Sequence, residues 1–578
     1  MSTEEPHRPT AADAILQGLR ESGVTHLFGN FGSDHPEIIE SLARNQLAGR
    51  NLPQVIVCPH ESVALSAAHG HTLLSHQAQA VVVHCDVGTQ TLGGAMHNAS
   101  RARIPVFIFA GETPFTIEGE LFGGRNRAVQ TLQDVHDQHS IVRSYVKWSA
   151  SLKTGQNARQ MVLRAMQIAS SAPTGPVYLT GAREYLSETI NHQRNTSAAR
   201  FPSIEASAIA PTLAKEIANT LEQATNPLIV VSNGGRDPKA VTELAKLVER
   251  LGIRVVEASR SCVNLDTQHP LHNGYDVEHA LADADAVLVL EADTPWDVRR
   301  IELGDEVPIY HIDTDPLKQN FVLTHTPSSR ALAADCATAL EQINAAAESI
   351  SVDEQRHQHR RQLASAEHDT QQLALAEQEL APLDGSISVP YLLATLSEII
   401  TDDTIVVDES ITNNEAVWRH LPRAKPGTYF ASGGSSLGWH GGACIGMKLA
   451  KPEAQIVALC GDGTYLFSVP SSVHWIAKQY NTPFLTIVLN NGGWNATKQN
   501  TLRLHPHGAA SQSDQFFVNL DQNTEFAEMA KAAGAGYAAK VSAASELAAV
   551  LKAGLAAVQA GTAAVVNVKL AAISQQIY

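Results

Sequence analysis

Several features that would set a chain apart from ordinary globular proteins are missing here. The six cysteines (Cys58, Cys85, Cys262, Cys336, Cys444 and Cys460) are scattered and form no CxxC pair. That argues against a disulfide framework or a structural zinc site. No apolar run reaches the ~20 residues that a membrane span needs. The N-terminal segment MSTEEPHRPT lacks the apolar core of a signal peptide. No basic cluster is present and the formal net charge is −17, which disfavours non-specific binding to nucleic acid or anionic membranes. No short-period repeat occurs. The reading is a cytoplasmic protein in a reduced setting, with small-molecule partners and neither nucleic acid nor membrane among them.

What is present is a long, well-mixed chain. Its 578 residues are 44% apolar and 17% charged, enough to bury several cores. Helical and strand patterns alternate along it. Short apolar runs at Val24–Gly29, Val55–Cys58, Ala80–His84, Val106–Ala110 and Val177–Thr180 are separated by helix-like stretches, among them Ala11–Ser22 and the alanine-rich Glu61–Leu74. A second series follows at Leu228–Ser232, Arg254–Glu257, Ala286–Leu290 and Ile309–Asp313, and a third at Thr404–Asp408, Ile456–Gly461, Phe484–Leu489 and Ala563–Lys569. Strands spaced by helices make parallel sheets covered on both faces. The fold class is therefore α/β, with three doubly wound parallel-sheet domains over residues 1–190, 203–345 and 386–578. A polar linker is expected near Asn191–Pro202. Residues 346–385, rich in Gln, Glu, Ala and His, read as a solvated helix or a connecting segment.

Within the third series, Cys460-Gly461-Asp462-Gly463-Thr464 is followed by an apolar run ending in Asn490-Asn491. The pattern is strand, glycine turn, helix, strand, then two amides. It puts Asp462 and the paired amides at the carboxyl ends of adjacent strands, where open α/β sheets bind ligands. A carboxylate, an amide and nearby carbonyls suit a hard divalent cation that keeps room for phosphates. In an acidic protein such a cation is the adaptor a diphosphate requires. Gly433 to Gly438 forms a second glycine-rich loop upstream, and Gly492-Gly493 gives backbone access downstream.

This constellation resembles the thiamine diphosphate enzymes of the pyruvate decarboxylase, acetolactate synthase and benzoylformate decarboxylase superfamily, over nearly the whole chain. The resemblance implies Mg²⁺ on Asp462, Asn491 and the Gly493 carbonyl, and a phosphate at Thr464. Gly461, Gly463, Ser410, Ser435 and Trp494 are the further cofactor contacts. The stretch through Ser468–Ser472 is somewhat longer than the family's. Glu61 sits in Cys58-Pro59-His60-Glu61-Ser62; by itself it reads as a first-turn Glu favoured by the helix dipole. The resemblance makes it the acid that hydrogen-bonds the cofactor's pyrimidine ring and switches on its amino group. Leu437 matches the bulky residue beneath the bent cofactor.

Other residues bear on substrate. His84, at a strand end before Cys85-Asp86, resembles the proton-moving His of benzoylformate decarboxylase. Ser33 lies in a loop where relatives approach the substrate carboxylate, with His35 beside it. Gln133 resembles a glutamine that reaches the active site in carboligase relatives, and His505 and His507 follow the metal-binding amides in a covering region. Ser232-Asn233-Gly234-Gly235-Arg236 and Asp313-Thr314-Asp315-Pro316 leave two readings open for the middle domain: an ADP-type group such as FAD or CoA, or a purely structural role. The implied function is thiamine diphosphate- and Mg²⁺-dependent cleavage or formation of C–C bonds on 2-oxo acids or acyl substrates. A non-oxidative decarboxylase of the benzoylformate type, with carboligase capacity, leads. Acetolactate synthase-like carboligation, a 2-hydroxyacyl-CoA lyase and a non-catalytic homologue are the alternatives. A homodimer or homotetramer with active sites between subunits is implied.

Overall fold

Local chemistry starts the first element. Thr10 and Asp13 cap each other reciprocally, and the helix Ala11–Glu21 follows, burying Ala11, Ile15 and Leu19. A computed structural model describes residues 8–191, 196–324 and 326–573. Part of the expected Asn191–Pro202 linker lies outside the described residues.

Three wholly parallel sheets form, each from short runs of branched and apolar residues. The first sheet runs Gln54–Val57, His26–Gly29, Gln79–Val83, Val106–Glu112, Val177–Ala182, Trp148–Ser151 in spatial order. The middle sheet runs Arg330–Ala333, Ile309–Asp313, Ala286–Leu290, Pro227–Val231, Arg254–Glu257. The third runs Tyr429–Ala431, Ile405–Glu409, Ile456–Gly461, Leu485–Asn490, Ala564–Lys569, Tyr537–Val541. The first and third share one topology, as their similar sequence layout suggests. In each, the chain steps to one side after its first strand and then crosses back. The crossover leaves a crevice beyond the carboxyl ends of the first and third strands, where ligands of such sheets sit. One crevice is flanked by Asn30–His35 and His84, the other by Ser410 and Gly461–Thr464.

The sequence reading passed over the edge strands Trp148–Ser151, Arg330–Ala333, Tyr429–Ala431 and Tyr537–Val541. Trp148–Ser151 and Arg330–Ala333 are half-exposed or exposed throughout, so they carry no continuous apolar run. The segment left open between helix and connector is a 25-residue helix, Glu354–Gln378. It packs on the middle domain: Ala364 enters that domain's core. Arg360 donates to the carbonyls of Leu221, Glu222, Ala224 and Leu251.

Beside a core cluster of its own in each, the first and third domains share one apolar cluster. Phe28, Ile56 and Ala67 belong to one apolar cluster with Trp439, Ala443 and Val488. The join is the helix Glu61–Ser75 lying on the helix Trp439–Ala450. Glycine makes this possible. A Cβ on Gly446 would overlap the Ala67 carbonyl, and one on Gly70 would overlap that of Ala443. Both helices begin at a ligand edge, so their packing fixes one edge relative to the other.

Candidate active site

At the edge of the first sheet, the loop after His26–Gly29 meets the residue that ends Gln79–Val83. His84 Nδ1 is in a short hydrogen bond with Asp34 Oδ1. On the other side of the ring, the Gln133 amide lies 2.7 Å from His84 Nε2. A proton on Nδ1 donates to Asp34, and Nε2 then accepts from Gln133. The bond to Asp34 is the main cause that raises the pKa of His84 above its ordinary value, against a lowering by burial; the charges of Asp34, Asp86 and Glu61 add to the rise. Burial pushes Asp34 up, but His35 and His84 outweigh it and hold the carboxyl below its ordinary value.

Glu61 is buried at the first turn of its helix. Its Oε1 accepts from the Asn30 amide at 2.8 Å. Gly88 follows the same edge, and a Cβ there would come within 3.3 Å of Glu61 Oε1 and 3.1 Å of His84 Cβ. Glu61 and His84 are thus near neighbours. Ser33 is exposed at the loop tip, its carbonyl held by Arg183 at 3.3 Å. His35 turns inward: it is fully buried, accepts from the Gly32 amide at 3.0 Å and packs edge-on to Phe31. Its role is to brace the loop. Sequence reasoning missed Asn30 and Asp34. Both stand in the Gly29–Pro36 loop, but nothing in that stretch indicates which side chains turn toward Glu61 and His84.

At the edge of the third sheet, Asp462 is buried to 2% exposure. Its Oδ2 accepts from the amides of Gly492 (2.7 Å) and Gly493 (3.0 Å), and Oδ1 from that of Gly463. Among the described residues it has no cationic partner, and burial raises its pKa despite these amides. Asn491 is buried beside it, its Oδ1 accepting from Gly493 at 3.1 Å. A buried carboxylate without a counter-charge, an amide oxygen and an adjacent backbone carbonyl are a hard-cation donor set. These residues fit Mg²⁺. Gly463 has a steric reason, because the Trp494 ring occupies the space of a Cβ. Thr464 is buried in the same turn. Ser410 is buried and gives its hydroxyl to Asp408 at 2.6 Å and to Asn414 at 3.0 Å. Burial pushes Asp408 up to about 6. Past the glycine turn the helix breaks: Val469 adopts φ +54° and Pro470 starts a new helix.

The loop Gly433–Gly438 bridges the domains. Ser435 Oγ meets His97 Nε2 at 3.0 Å, and Asn98 bonds both the amide and the carbonyl of Ser436. Leu437 follows, partly buried, and Gly438 takes φ +92° at the start of the next helix. No hydrogen bond or ion pair joins Glu61 or His84 to Asp462, Asn491 or Gly493 among the described residues. His505 and His507 are exposed beyond the helix Asn495–Leu504.

In the middle domain the glycine turn and the strand-end aspartates are engaged by the chain itself. Gly235 is packed against the Val263 carbonyl and its amide donates to Asn264 at 2.9 Å, so the glycine turn accommodates the chain itself. Asp293 and Asp313 are bound by Arg103 and Lys318. The cavity where the three domains meet, lined by Arg103, Arg236, Cys262 and Phe430 among others, measures about 220 Å³. Among the described residues no helix is long and apolar enough to cross a membrane.

Three family models match: the N-terminal thiamine pyrophosphate-binding domain over residues 9–141, the central domain over 214–343 and the C-terminal thiamine pyrophosphate-binding domain over 410–568. The chain is 26% identical to a benzoylformate decarboxylase of Pseudomonas aeruginosa, over 85% of this chain and 87% of the relative. It is 24% identical to an acetolactate synthase of Bacillus subtilis, over 88% and 85%. The solved structure of a thiamine diphosphate-dependent 4-hydroxybenzoylformate decarboxylase from Rhodococcus jostii superposes with TM-score 0.78 at 21% identity, over 98% of this chain and 99% of that one. With all three of its domains matched, the chain belongs to the thiamine diphosphate-dependent enzyme superfamily.

Proposed function

We propose that this enzyme is a thiamine diphosphate- and Mg²⁺-dependent, non-oxidative 2-oxo acid decarboxylase of the benzoylformate type, with capacity for carboligation. Asp462, Asn491 and the Gly493 carbonyl hold the cation. Ser410, Ser435, Gly461, Gly463, Thr464 and Trp494 surround the diphosphate end, and Leu437 supports the middle of the cofactor. Glu61 holds its pyrimidine ring nitrogen, with Asn30 fixing the carboxylate. When bound, the cofactor supplies the nucleophile and the electron sink for breaking the bond next to a carbonyl. His84 carries a proton on Nε2 and gives it to the carbon that has lost CO₂. A C–C bond breaks, a C–H bond forms, and no redox partner is required. Ser33, exposed at the loop tip, lies where the substrate carboxylate enters. Active sites complete themselves between subunits of a dimer or tetramer.

The observation that carries the reading is His84 at the sheet's switch point, raised in pKa and next to Glu61. An imidazole held between a carboxylate and an amide suits proton transfer in either direction. The contact between Gln133 and His84 favours a second reading, acetolactate synthase-like carboligation, since a glutamine in this place is the feature shared with carboligase relatives. One assay separates them. Purified protein with thiamine diphosphate and Mg²⁺ is given pyruvate, benzoylformate and branched 2-oxo acids, with CO₂ and aldehyde measured separately. Aldehyde equal to CO₂ supports the decarboxylase. An acyloin product in its place supports carboligation. Absence of binding heat with thiamine diphosphate and Mg²⁺ overturns both.

A further inference from the structure

Asp34 has no assigned part in the reaction, yet the loop is built around it. It is 3% exposed, and its Oδ2 finds no hydrogen-bond partner among the described residues. Isolating half of a buried carboxylate is costly unless a cation lies against the other half. Oδ1 accepts from His84 Nδ1–H. Two glycines clear the space. A Cβ on Gly111 would overlap Asp34 Oδ2, and one on Gly32 would overlap His84 Nδ1 and approach Asp34 Oδ1. The carboxylate and the imidazole therefore fill a slot that alanine at either position would close.

We propose that Asp34 is the positioning residue of His84: it fixes the Nδ1–H tautomer and stabilises the imidazolium, while Gln133 serves Nε2 in both protonation states. This rests on the assignment of His84 as the proton carrier. Neutral His84 accepts at Nε2 from the Gln133 amide N–H. Protonated His84 donates at Nε2, and rotation of the same amide turns its oxygen to the ring. Gln133 thereby follows the proton without leaving its place. The groups facing His84 are Asp34, Asp86, Glu61 and Cys85, with His35 beyond Asp34. The three carboxylates favour the imidazolium. The Cys85 thiol, pushed far up by burial, stays neutral.

The test reads His84 without relying on turnover. The full chain, with and without thiamine diphosphate and Mg²⁺, is treated with diethyl pyrocarbonate across a pH series, and modification of the His84 peptide is followed by mass spectrometry. Only neutral imidazole reacts, so the midpoint reports proton affinity. Asp34→Asn is expected to weaken that affinity about tenfold or more, as loss of an adjacent opposite charge does. Gln133→Glu, on the other side of the ring, is expected to strengthen it and gives a second handle should Asp34→Asn fold poorly. In parallel, the limb of the kcat profile governed by His84 should move to lower pH in Asp34→Asn. An unmoved midpoint in both variants overturns the proposal even where 2-oxo acids are decarboxylated. A moved midpoint with no turnover of any 2-oxo acid leaves the Asp34–His84 pair standing and rejects the decarboxylase reading.

Discussion

Asp462 shows how a buried carboxylate works against the stability of its own fold. Its carboxyl pKa is raised by burial, so the folded chain holds its proton more tightly than the unfolded one. That contribution to stability falls as pH rises through the interval between the two values, and is fully lost above the folded value. Asp462→Asn is therefore expected to raise the melting temperature of the cofactor-free protein at neutral pH. It should also abolish the extra stabilisation by Mg²⁺ with thiamine diphosphate, since binding to the native state is what supplies it. A thermal-shift series with and without both additives reads the two signs together. Glu61→Gln is a different case. It keeps a hydrogen-bonding group of similar size beside Asn30 but removes the acid, and turnover should fall by about 10²–10⁴-fold with binding heat retained. Calorimetry that loses the heat, or kinetics that keep the rate, contradicts this assignment. The buried carboxylate and its neighbouring amides were readable from sequence because a glycine turn and a pair of amides sit at fixed offsets from apolar strands. Asp34 and Asn30 were not, because their roles depend on which way two side chains turn within one loop.

Among the elements, the helix pair Glu61–Ser75 and Trp439–Ala450 matters most. Each helix starts at a ligand edge, and their seam is built from Gly70, Ala67, Gly442 and Gly446. Gly446→Val would drive a branched side chain into the Ala67 carbonyl. A loss of about 1–3 kcal/mol is expected from overpacking of this kind, measurable as a lower urea midpoint, and weaker cofactor binding should accompany it. Unchanged binding with reduced stability would show that the seam holds the domains without setting the edges. The first and third sheets were legible because their central strands are buried on both faces and read as continuous apolar runs. The edge strands Trp148–Ser151 and Arg330–Ala333 were not, since half-exposed strands look like loops until a neighbour pairs with them. The helix Glu354–Gln378 hid for a related reason. It buries few residues, and its anchorage depends on Arg360 reaching carbonyls at the ends of other elements.

For the molecule as a whole, an ion cluster fastens the first domain to the middle one. Arg103 reaches Asp313 at 2.7 Å, Asp293 at 3.2 Å and Glu291 at 3.8 Å, and Lys318 joins Asp293 and Asp313. Three carboxylates share two cations. Burial raises Asp313, but Arg103 and Lys318 outweigh it and hold it at about 2. Burial and the Asp313 charge push Glu291 up to about 7. With its pKa raised on folding, Glu291 favours the native state less as pH climbs from its ordinary value toward 7. Glu291→Gln should flatten that part of the melting-temperature profile, and a slope equal to that of the parent would remove Glu291 as its source. Arg103→Ala leaves the three carboxylates to Lys318 alone, and a lower urea midpoint is expected, with a loss of up to about 3–5 kcal/mol. The sequence by itself determined the three parallel sheets, the placement of Asp462 and the paired amides at one sheet edge, and the family, because these rest on local periodicity and on residues close together along the chain. Tertiary structure decided that Asp34 and Gln133 grip His84 from opposite sides, that the first and third domains share one apolar cluster and that the middle domain's glycine turn is filled by its own chain. Each of those depends on groups far apart in sequence whose contact follows from packing, and packing leaves no pattern in the order of the residues.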